Sequence, residues 1–380
     1  MIRPMYEFTK ITTPPALHEA ARIAVESSLK VKKNEQVLII SNPVADVASI
    51  AAALYEAAAR VGAKPVLIFQ PKKNQFGFAE PAVIAAFSAT PEVVISLSTE
   101  KLGKDSKGIA KPYQHGKSNY EHVFHLLMYG EKLTRSFWSP GVTIDSFCRT
   151  VPIDYPLLQK RCAKIKAVLD EAVEINIRAP GGTDFRCTLK DRFAKADDGD
   201  FSCGGKGGNL PAGETFISPE NGSASGIIVF DGSISLSSSD LIIREPISCT
   251  LERGFVTDIN GGEEAASLLK TVVEAEENAR IFEREGKIAS GLGDRYARNA
   301  RNIGEIGIGL NPEATITGNM LEDEKAFHTC HFAIGHNYDE DAPALIHLDG
   351  LVKDPTIIVR AKGGAETVIE RDGELEERFL

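Results

Sequence analysis

The sequence predicts an α/β N-terminal domain with a doubly wound parallel sheet (1–150), followed by a β-rich α+β C-terminal domain (151–380). Its 380 residues suit two domains or slightly more, at roughly 150 residues per domain. The first third alternates short apolar runs with helical segments, a pattern typical of β-α-β units with right-handed crossovers. The second half changes to short strand-like runs separated by turn residues.

The elements of the N-terminal domain follow one another in a regular order. Three short apolar runs of the buried type predict strands at 35–41, 64–69 and 92–98. Helices are predicted between them, at the Ala-rich stretch 46–60 and at 79–87. The turn after the first strand, SNPVAD, contains no GxGxxG pattern, so only topology favours a dinucleotide-binding fold.

The C-terminal domain is predicted to combine two helices with many strands. An amphipathic helix is expected over 155–173, and a second helix from 263 to about 285. The remaining apolar runs are bounded by turn residues, which favours strands. The predicted strands are 173–179, 183–189, 226–232, 241–252, 304–310, 330–335, 343–350 and 356–361.

The composition excludes several classes of protein. The chain has 43 Lys and Arg against 53 Asp and Glu, a net charge of −10, and no basic stripe that would bind nucleic acid. No run approaches the roughly 20 apolar residues of a membrane helix, and the N-terminus lacks a signal-peptide core. We therefore expect a cytoplasmic protein without nucleic-acid or membrane partners, whose six cysteines are reduced thiols.

Two polar side chains share one face of the predicted strand in LIHLDG. Side chains alternate along a strand, so His347 and Asp349 point to one side, and Ile346 and Leu348 to the other. An imidazole and a carboxylate two residues apart can bind one cation. A solvent-facing edge or a simple His–Asp hydrogen bond would give the same pattern.

Two more predicted strands carry a metal-ligand type of side chain beside small residues. In HTCHFAIG, His331 shares its face with Ala333 and Gly335. In GEIGIGL, Glu305 is followed on its own face by two glycines. Glycine inside a strand often marks the close approach of a ligand, although a bulge or a barrel corner is an equal alternative.

A Gly-rich loop before Glu214 completes the candidate set. It lacks the GxxxxGK[ST] pattern, so we expect a turn that presents the carboxylate and not a phosphate loop. Three carboxylates and two imidazoles suit two hard or borderline divalent cations, which favours metal-assisted hydrolysis. Four other histidines are expected on the surface (His328, His336) or in a packed helix (His122, His125).

The segments NLPAGETF, IGEIGIGLNP, LEDEKAFHTCHFAIGHNY and IHLDG resemble the signature segments of the aminopeptidase T/aminopeptidase S family of metallo-aminopeptidases. SPGVTIDSFCRTVPIDY and PGGTDF add to the resemblance, which extends over about 30–365. It implies a homodimeric exopeptidase that releases the N-terminal residue of peptides with two divalent metal ions (zinc, cobalt or manganese). The implied metal ligands are Glu214, Glu305, His331, Tyr338, His347 and Asp349.

The resemblance also implies a catalytic acid/base. Glu324 matches this position, although about two extra residues separate it from His331, so Glu322 is an alternative. Tyr338 lies seven residues after His331, the spacing of the family pattern, and is implied to ligate metal or to donate a hydrogen bond to the oxyanion.

Two other functions remain open. The chain also resembles 2,5-dihydroxypyridine dioxygenase, an iron enzyme expected to carry His at the position of Glu305 and to lack a counterpart of His331. A mononuclear non-haem iron ring-cleaving dioxygenase would use His331, His347 and Asp349 as a facial triad. A non-catalytic metal-binding protein would close the coordination of the metal.

Overall fold

The computed structural model describes residues 10–74, 77–236 and 239–380. The chain forms two compact units: the first extends to Gln159 and includes Asp197–Ala212, and the second comprises Lys160–Ala196 and Gly213–Leu380. The sequence placed a single boundary between residues 150 and 151, whereas 197–212 returns to the first unit. Within the described ranges, no helix is both long and apolar enough to cross a membrane.

Most of the helices lie in the first unit. The α-helices are α1 (Pro15–Ile23), α2 (Ala45–Arg60), α3 (Pro81–Ala86), α4 (Ser106–Ala110), α5 (Val123–His125), α6 (Ile144–Thr150), α7 (Tyr155–Asp170), α8 (Glu263–Arg284), α9 (Gly293–Asn299) and α10 (Met320–Asp323). Short π-helical turns cover Ala24–Ser28 and Leu126–Gly130, and short 3₁₀ turns cover Phe87–Ala89 and Glu377–Phe379.

Strands make up most of the second unit. The strands are β1 (Gln36–Ser41), β2 (Lys64–Phe69), β3 (Val93–Leu97), β4 (Tyr113–His115), β5 (Ser118–Tyr120), β6 (Arg135–Trp138), β7 (Ala172–Arg178), β8 (Asp184–Thr188), β9 (Lys195–Asp197), β10 (Gly207–Asn209), β11 (Glu214–Ile217), β12 (Ser225–Phe230), β13 (Ser233–Ser235), β14 (Asp240–Ile242), β15 (Ile247–Glu252), β16 (Phe255–Asn260), β17 (Ile303–Gly309), β18 (Thr329–Gly335), β19 (His347–Lys353), β20 (Thr356–Ala361), β21 (Glu366–Arg371) and β22 (Glu374–Leu375).

The first unit contains the expected parallel sheet, in the order β10-β6-β3-β1-β2. All four neighbouring pairs are parallel. Strand β1 is buried along nearly its whole length because helices cover the sheet, which explains its continuous apolar run. The α/β prediction for this part of the chain is confirmed.

His122 has a structural role in the first unit. It precedes α5 as the N-cap, where its Nδ1 accepts from the Phe124 N–H at 3.1 Å. Its Nε2 lies 3.2 Å from the Gly103 carbonyl. Both ring nitrogens therefore contact the backbone, and the centroid of the His125 ring lies 5.6 Å from that of His122. A packed helix was expected here, and the α-helix covers Val123–His125.

The second unit contains two larger sheets, and its β-rich character is confirmed. One sheet has the order β14-β13-β19-β18-β17-β11-β9, and the other β16-β15-β12-β8-β7-β20-β21-β22. The predicted strand 241–252 is two strands, β14 and β15, because Pro246 lacks an N–H for a continuous ladder. Phe332 of β18 packs against Phe185 of β8 with ring centroids 4.8 Å apart, so this side of β18 faces the apolar core.

Candidate metal centre

Four adjacent antiparallel strands, β11, β17, β18 and β19, carry the candidate ligands. Directly opposed residues of an antiparallel pair have side chains on the same face. The opposed pairs that contain the five strand-borne donors are Glu214–Gly309, His331–Gly307, Glu305–Ala333, Asp349–Ala333 and His347–Gly335. The five donors therefore share one face of the sheet, opposite the face that packs on the core.

Small residues leave the space that the donors need. An added Cβ on Gly307 would lie 2.0 Å from His331 Nε2 and 2.1 Å from its Cε1. The imidazole therefore lies directly across Gly307, and no larger residue fits there without moving the ring. This explains Gly307, one of the two glycines on the face of Glu305. The other, Gly309, lies against backbone, because an added Cβ there would be 2.0 Å from the Ala326 carbonyl oxygen.

The fully buried imidazole of His331 lies between two carboxylates. Its Nε2 is 3.2 Å from Glu214 Oε2 and 3.3 Å from Glu305 Oε1. Both carboxylates are buried as well. His331 therefore links the donors of β11 and β17.

His347 is oriented by the backbone. Its Nδ1 lies 2.8 Å from the His336 carbonyl, which can only accept, so Nδ1 donates. Its Nε2 is 3.4 Å from Asp349 Oδ1 and 3.7 Å from Glu305 Oε2. A histidine that donates its other N–H to a carbonyl is the usual arrangement of a metal ligand.

The donors form two neighbouring groups. Glu214, Glu324 and His331 make one group, and Glu305, His347 and Asp349 make the other; within each, the donor atoms lie within 4.8 Å of one another. Among the described residues, four of their buried atoms form no hydrogen bond: Glu214 Oε2, Glu305 Oε2, Asp349 Oδ1 and His331 Nδ1. Each of the three carboxylate oxygens has an imidazole nitrogen within 4.0 Å. Buried carboxylate oxygens without partners are costly, and cations would satisfy them. The residues thus fit divalent metal.

The two acidic residues proposed as alternatives for catalysis differ in their surroundings. Glu324 directly follows α10 and belongs to the first donor group. Glu322 Oε1 accepts from the backbone N–H of Thr315 at 2.9 Å and lies 3.3 Å from its hydroxyl. Glu322 therefore holds the loop before α10, and of the two carboxylates Glu324 is the one in the site.

Sequence reasoning missed Lys325. The side chain is fully buried, with Nζ 2.7 Å from Glu214 Oε1 and in a close ion pair with Glu324 Oε1. A lysine after a short helix gives no sign of burial in the sequence, because lysines are almost always exposed. Its position next to the predicted catalytic acid was the available signal.

Burial and charge shift the titration of the site strongly. Burial, opposed by the charge of Lys325, raises the pKa of Glu324 to about 8. Burial opposes protonation of His347, but Asp349 and then Glu305 raise its pKa to about 10. Asp349 is buried too, yet the charge of His347 lowers its pKa to about 2. The metal-free site therefore holds protons at neutral pH that a cation must displace.

Tyr338 lies at the edge of the site. Its ring centroid is 5.0 Å from that of His347 and 5.5 Å from that of Phe216. Lys195 Nζ lies 5.6 Å from the Tyr338 centroid, and the tyrosine is 49% exposed. The structure thus brings Tyr338 to the donors, and leaves it open to solvent.

Two further histidines were expected on the surface, and one of them contributes to the site through its backbone. His336 supplies the carbonyl that orients His347. The Nδ1 of His328 lies 2.9 Å from the Gly373 carbonyl, outside both donor groups.

Comparison by sequence connects the chain with a dioxygenase family. A family model described as NicX, 2,5-dihydroxypyridine 5,6-dioxygenase, matches residues 144–334, just over half of the chain. The 2,5-dihydroxypyridine 5,6-dioxygenase of Pseudomonas putida KT2440 is 28% identical over 166 residues, 43% of this chain. The aligned stretch spans 41% of that relative's length.

Comparison by structure finds two similar folds over almost the whole chain. The 2,5-dihydroxypyridine dioxygenase of Pseudomonas putida KT2440 has a TM-score of 0.66 at 19% identity, covering 95% of this chain and 97% of its own. Wild-type AmpT from Thermus thermophilus has a TM-score of 0.64 at 17% identity, covering 95% and 98%. At such identities the likeness establishes the fold.

Proposed function

The chain belongs to the NicX family, described as 2,5-dihydroxypyridine 5,6-dioxygenase, and from its buried donor side chains we propose that this member is a metal-dependent aminopeptidase. It would hydrolyse the N-terminal peptide bond of peptides, with two divalent ions (zinc, cobalt or manganese) as cofactors. An enzyme on the scaffold common to the NicX protein and AmpT agrees with both the sequence and the fold.

The main support for the proposal is the set of buried donor side chains. A facial triad needs two imidazoles and one carboxylate at one metal. Here the Glu305–His347–Asp349 group has one imidazole, and His331 belongs to the other group. An iron site of the triad type would leave Glu214, Glu305 and Glu324 as additional carboxylates in the same pocket, whereas in a hydrolase with two divalent cations Glu214 and Glu305 bind metal and Glu324 is the acid/base.

The residues of the chain have separate roles in the proposed hydrolysis. Two divalent cations, when bound, polarise the scissile carbonyl and lower the pKa of a water molecule. Glu324 accepts a proton from the attacking water as the C–O bond forms, and transfers it to the leaving amine as the C–N bond breaks. Tyr338, through its phenol, donates a hydrogen bond to the carbonyl oxygen as that oxygen gains negative charge.

Metal content and peptidase activity test the proposal together. Protein purified without chelator is analysed for metals per chain, and then assayed with a panel of aminoacyl-nitroanilides and with the same compounds blocked at the amino group. We expect about two zinc, cobalt or manganese ions per chain and cleavage of the free-amine compounds alone. Cleavage of blocked compounds, or none with any reconstituted metal, contradicts an aminopeptidase.

Ring cleavage is the second candidate, because the family model and the Pseudomonas putida relative both carry the dioxygenase description. It predicts one iron per chain and oxygen uptake with 2,5-dihydroxypyridine. Oxygen uptake that survives Glu214→Gln but is lost in His347→Ala would establish it, and would remove Glu214 from the catalytic metal site.

Two further expectations accompany the aminopeptidase proposal. The substrates would be peptides with a free N-terminus, and the protein would act as a homodimer. Size-exclusion chromatography with light scattering tests the second, and a monomer with full activity contradicts it.

A further inference from the structure

Lys325 is an unusual constituent of a cation-binding pocket. It is 0% exposed, and its ammonium lies between Glu214 and Glu324. Its backbone is fixed on both sides: its N–H donates to the Glu322 carbonyl, and its own carbonyl accepts from the Asn311 N–H, both at 2.9 Å. A buried lysine persists only when it is paired, so the ammonium is a built part of this pocket.

The ammonium forms its ion pairs with one donor group, and its charge acts on Asp349 of the other group only from beyond ion-pair distance. Both carboxylates beside it belong to the Glu214–Glu324–His331 group. Within the described part of the chain, Glu305 and Asp349 form ion pairs with imidazoles alone. When both imidazoles are neutral, the group that includes Lys325 carries one net negative charge, and the Glu305–His347–Asp349 group carries two.

We infer that Lys325 makes the two metal positions unequal, with a tight position at Glu305–His347–Asp349 and a weak, exchangeable position at Glu214–Glu324–His331. The inference rests on the proposed metal-dependent function. Affinity for a cation rises with the negative charge of its ligands, and a fixed ammonium repels a divalent ion nearby.

The hydrogen bonds of Lys325 act in the same direction. The ammonium occupies Oε1 of both Glu214 and Glu324, so the second oxygen of Glu214 is left for a metal and that of Glu324 for the proton of the attacking water. Glu214 Oε2, which is buried and forms no hydrogen bond with the described residues, is the oxygen that would hold the cation. Occupancy of the weak position, and with it hydrolysis, would then follow the free metal concentration.

Calorimetric titration of the metal-free full-length protein with Mn²⁺ alone tests this inference without substrate. We expect two binding steps in the wild type whose dissociation constants differ by at least about tenfold. Lys325→Gln removes the charge but keeps an N–H donor, and should strengthen the weak step by about ten- to a thousandfold. Lys195→Gln, which removes a lysine beside Tyr338 and outside both groups, should leave the separation unchanged.

Single ligand substitutions assign the steps. Asp349→Asn should weaken the tight step and Glu214→Gln the weak step, and the reverse assignment overturns the inference. Two equal steps in the wild type overturn it without any variant, as does an unchanged separation in folded Lys325→Gln. Two unequal steps in a protein that releases no amino acid from peptides would support the role of Lys325, and remove the aminopeptidase proposal.

Discussion

Substituting Gly307 by alanine should damage the metal centre without touching a ligand. The new Cβ would lie 2.0 Å from His331 Nε2, where a nonbonded contact needs about 3.5 Å, so the imidazole must move by about 1.5 Å. Metal ligands keep their distances within about 0.2 Å, and His331 would leave its position between Glu214 and Glu305. We expect metal affinity to fall at least about tenfold, and overpacking to cost about 1–3 kcal/mol in unfolding free energy.

The assay for Gly307→Ala is metal titration of the metal-free protein together with urea unfolding. Gly363→Ala is the matched control, because an added Cβ there meets nothing within 4 Å and its backbone needs no left-handed conformation. The control should retain the affinity of the wild type. Wild-type affinity and stability in Gly307→Ala would refute the reasoning, since the imidazole would then not lie across this glycine.

Three other outcomes follow from the structure. Glu324→Gln should retain metal at saturating concentration and lower nitroanilide hydrolysis by about a hundredfold or more; retained turnover would rule out its acid/base role. Because the pKa of His347 is raised to about 10, the imidazole is protonated below that pH in the metal-free protein, and a cation must displace that proton. The metal affinity of the Glu305–His347–Asp349 group should therefore increase by about tenfold per pH unit between pH 7 and 9. Calorimetry in buffers of different ionisation enthalpy should detect the released protons, and a pH-independent affinity contradicts this. Glu370 is fully buried, both its oxygens lack hydrogen-bond partners among the described residues, and burial raises its pKa well above its usual value. As the pH rises, the wild type should therefore lose about 1.4 kcal/mol of unfolding free energy per pH unit relative to Glu370→Gln, over the range in which the carboxylate is charged in the unfolded chain and neutral in the folded one. The control Glu366→Gln, at an exposed position, should show no such difference from the wild type. Parallel pH profiles for Glu370→Gln and the wild type would contradict the argument.

Strand alternation predicted much of the site, because it is a local property of the chain. The period of two placed His347 with Asp349, and put His331 beside small residues, without knowledge of which strands are neighbours. The antiparallel register then aligns these faces, with Gly307 opposite His331 and Ala333 opposite both Glu305 and Asp349.

Features that depend on long-range contacts could not be predicted in this way. Strand β10 joins the parallel sheet beside β6, so 197–212 belongs to the first unit although it follows part of the second in sequence. The choice between Glu322 and Glu324 depends on the loop around Thr315. The burial of Lys325 depends on its ion pairs with carboxylates. One of them, Glu214, is more than a hundred residues away in sequence, although its Oε1 lies 2.7 Å from Lys325 Nζ.

The pairing of each strand-borne donor with glycine or alanine on a neighbouring strand has a consequence for the diversity of this scaffold. Gly307 is required only while His331 is present, so the two positions are expected to vary together among relatives. A substitution that replaces the His331 imidazole by a small side chain leaves room for an imidazole at position 307, and the backbone of the sheet stays as it is. One arrangement of strands can thus alter how many cations it holds, and which chemistry they support, by exchanging bulk between two opposed residues.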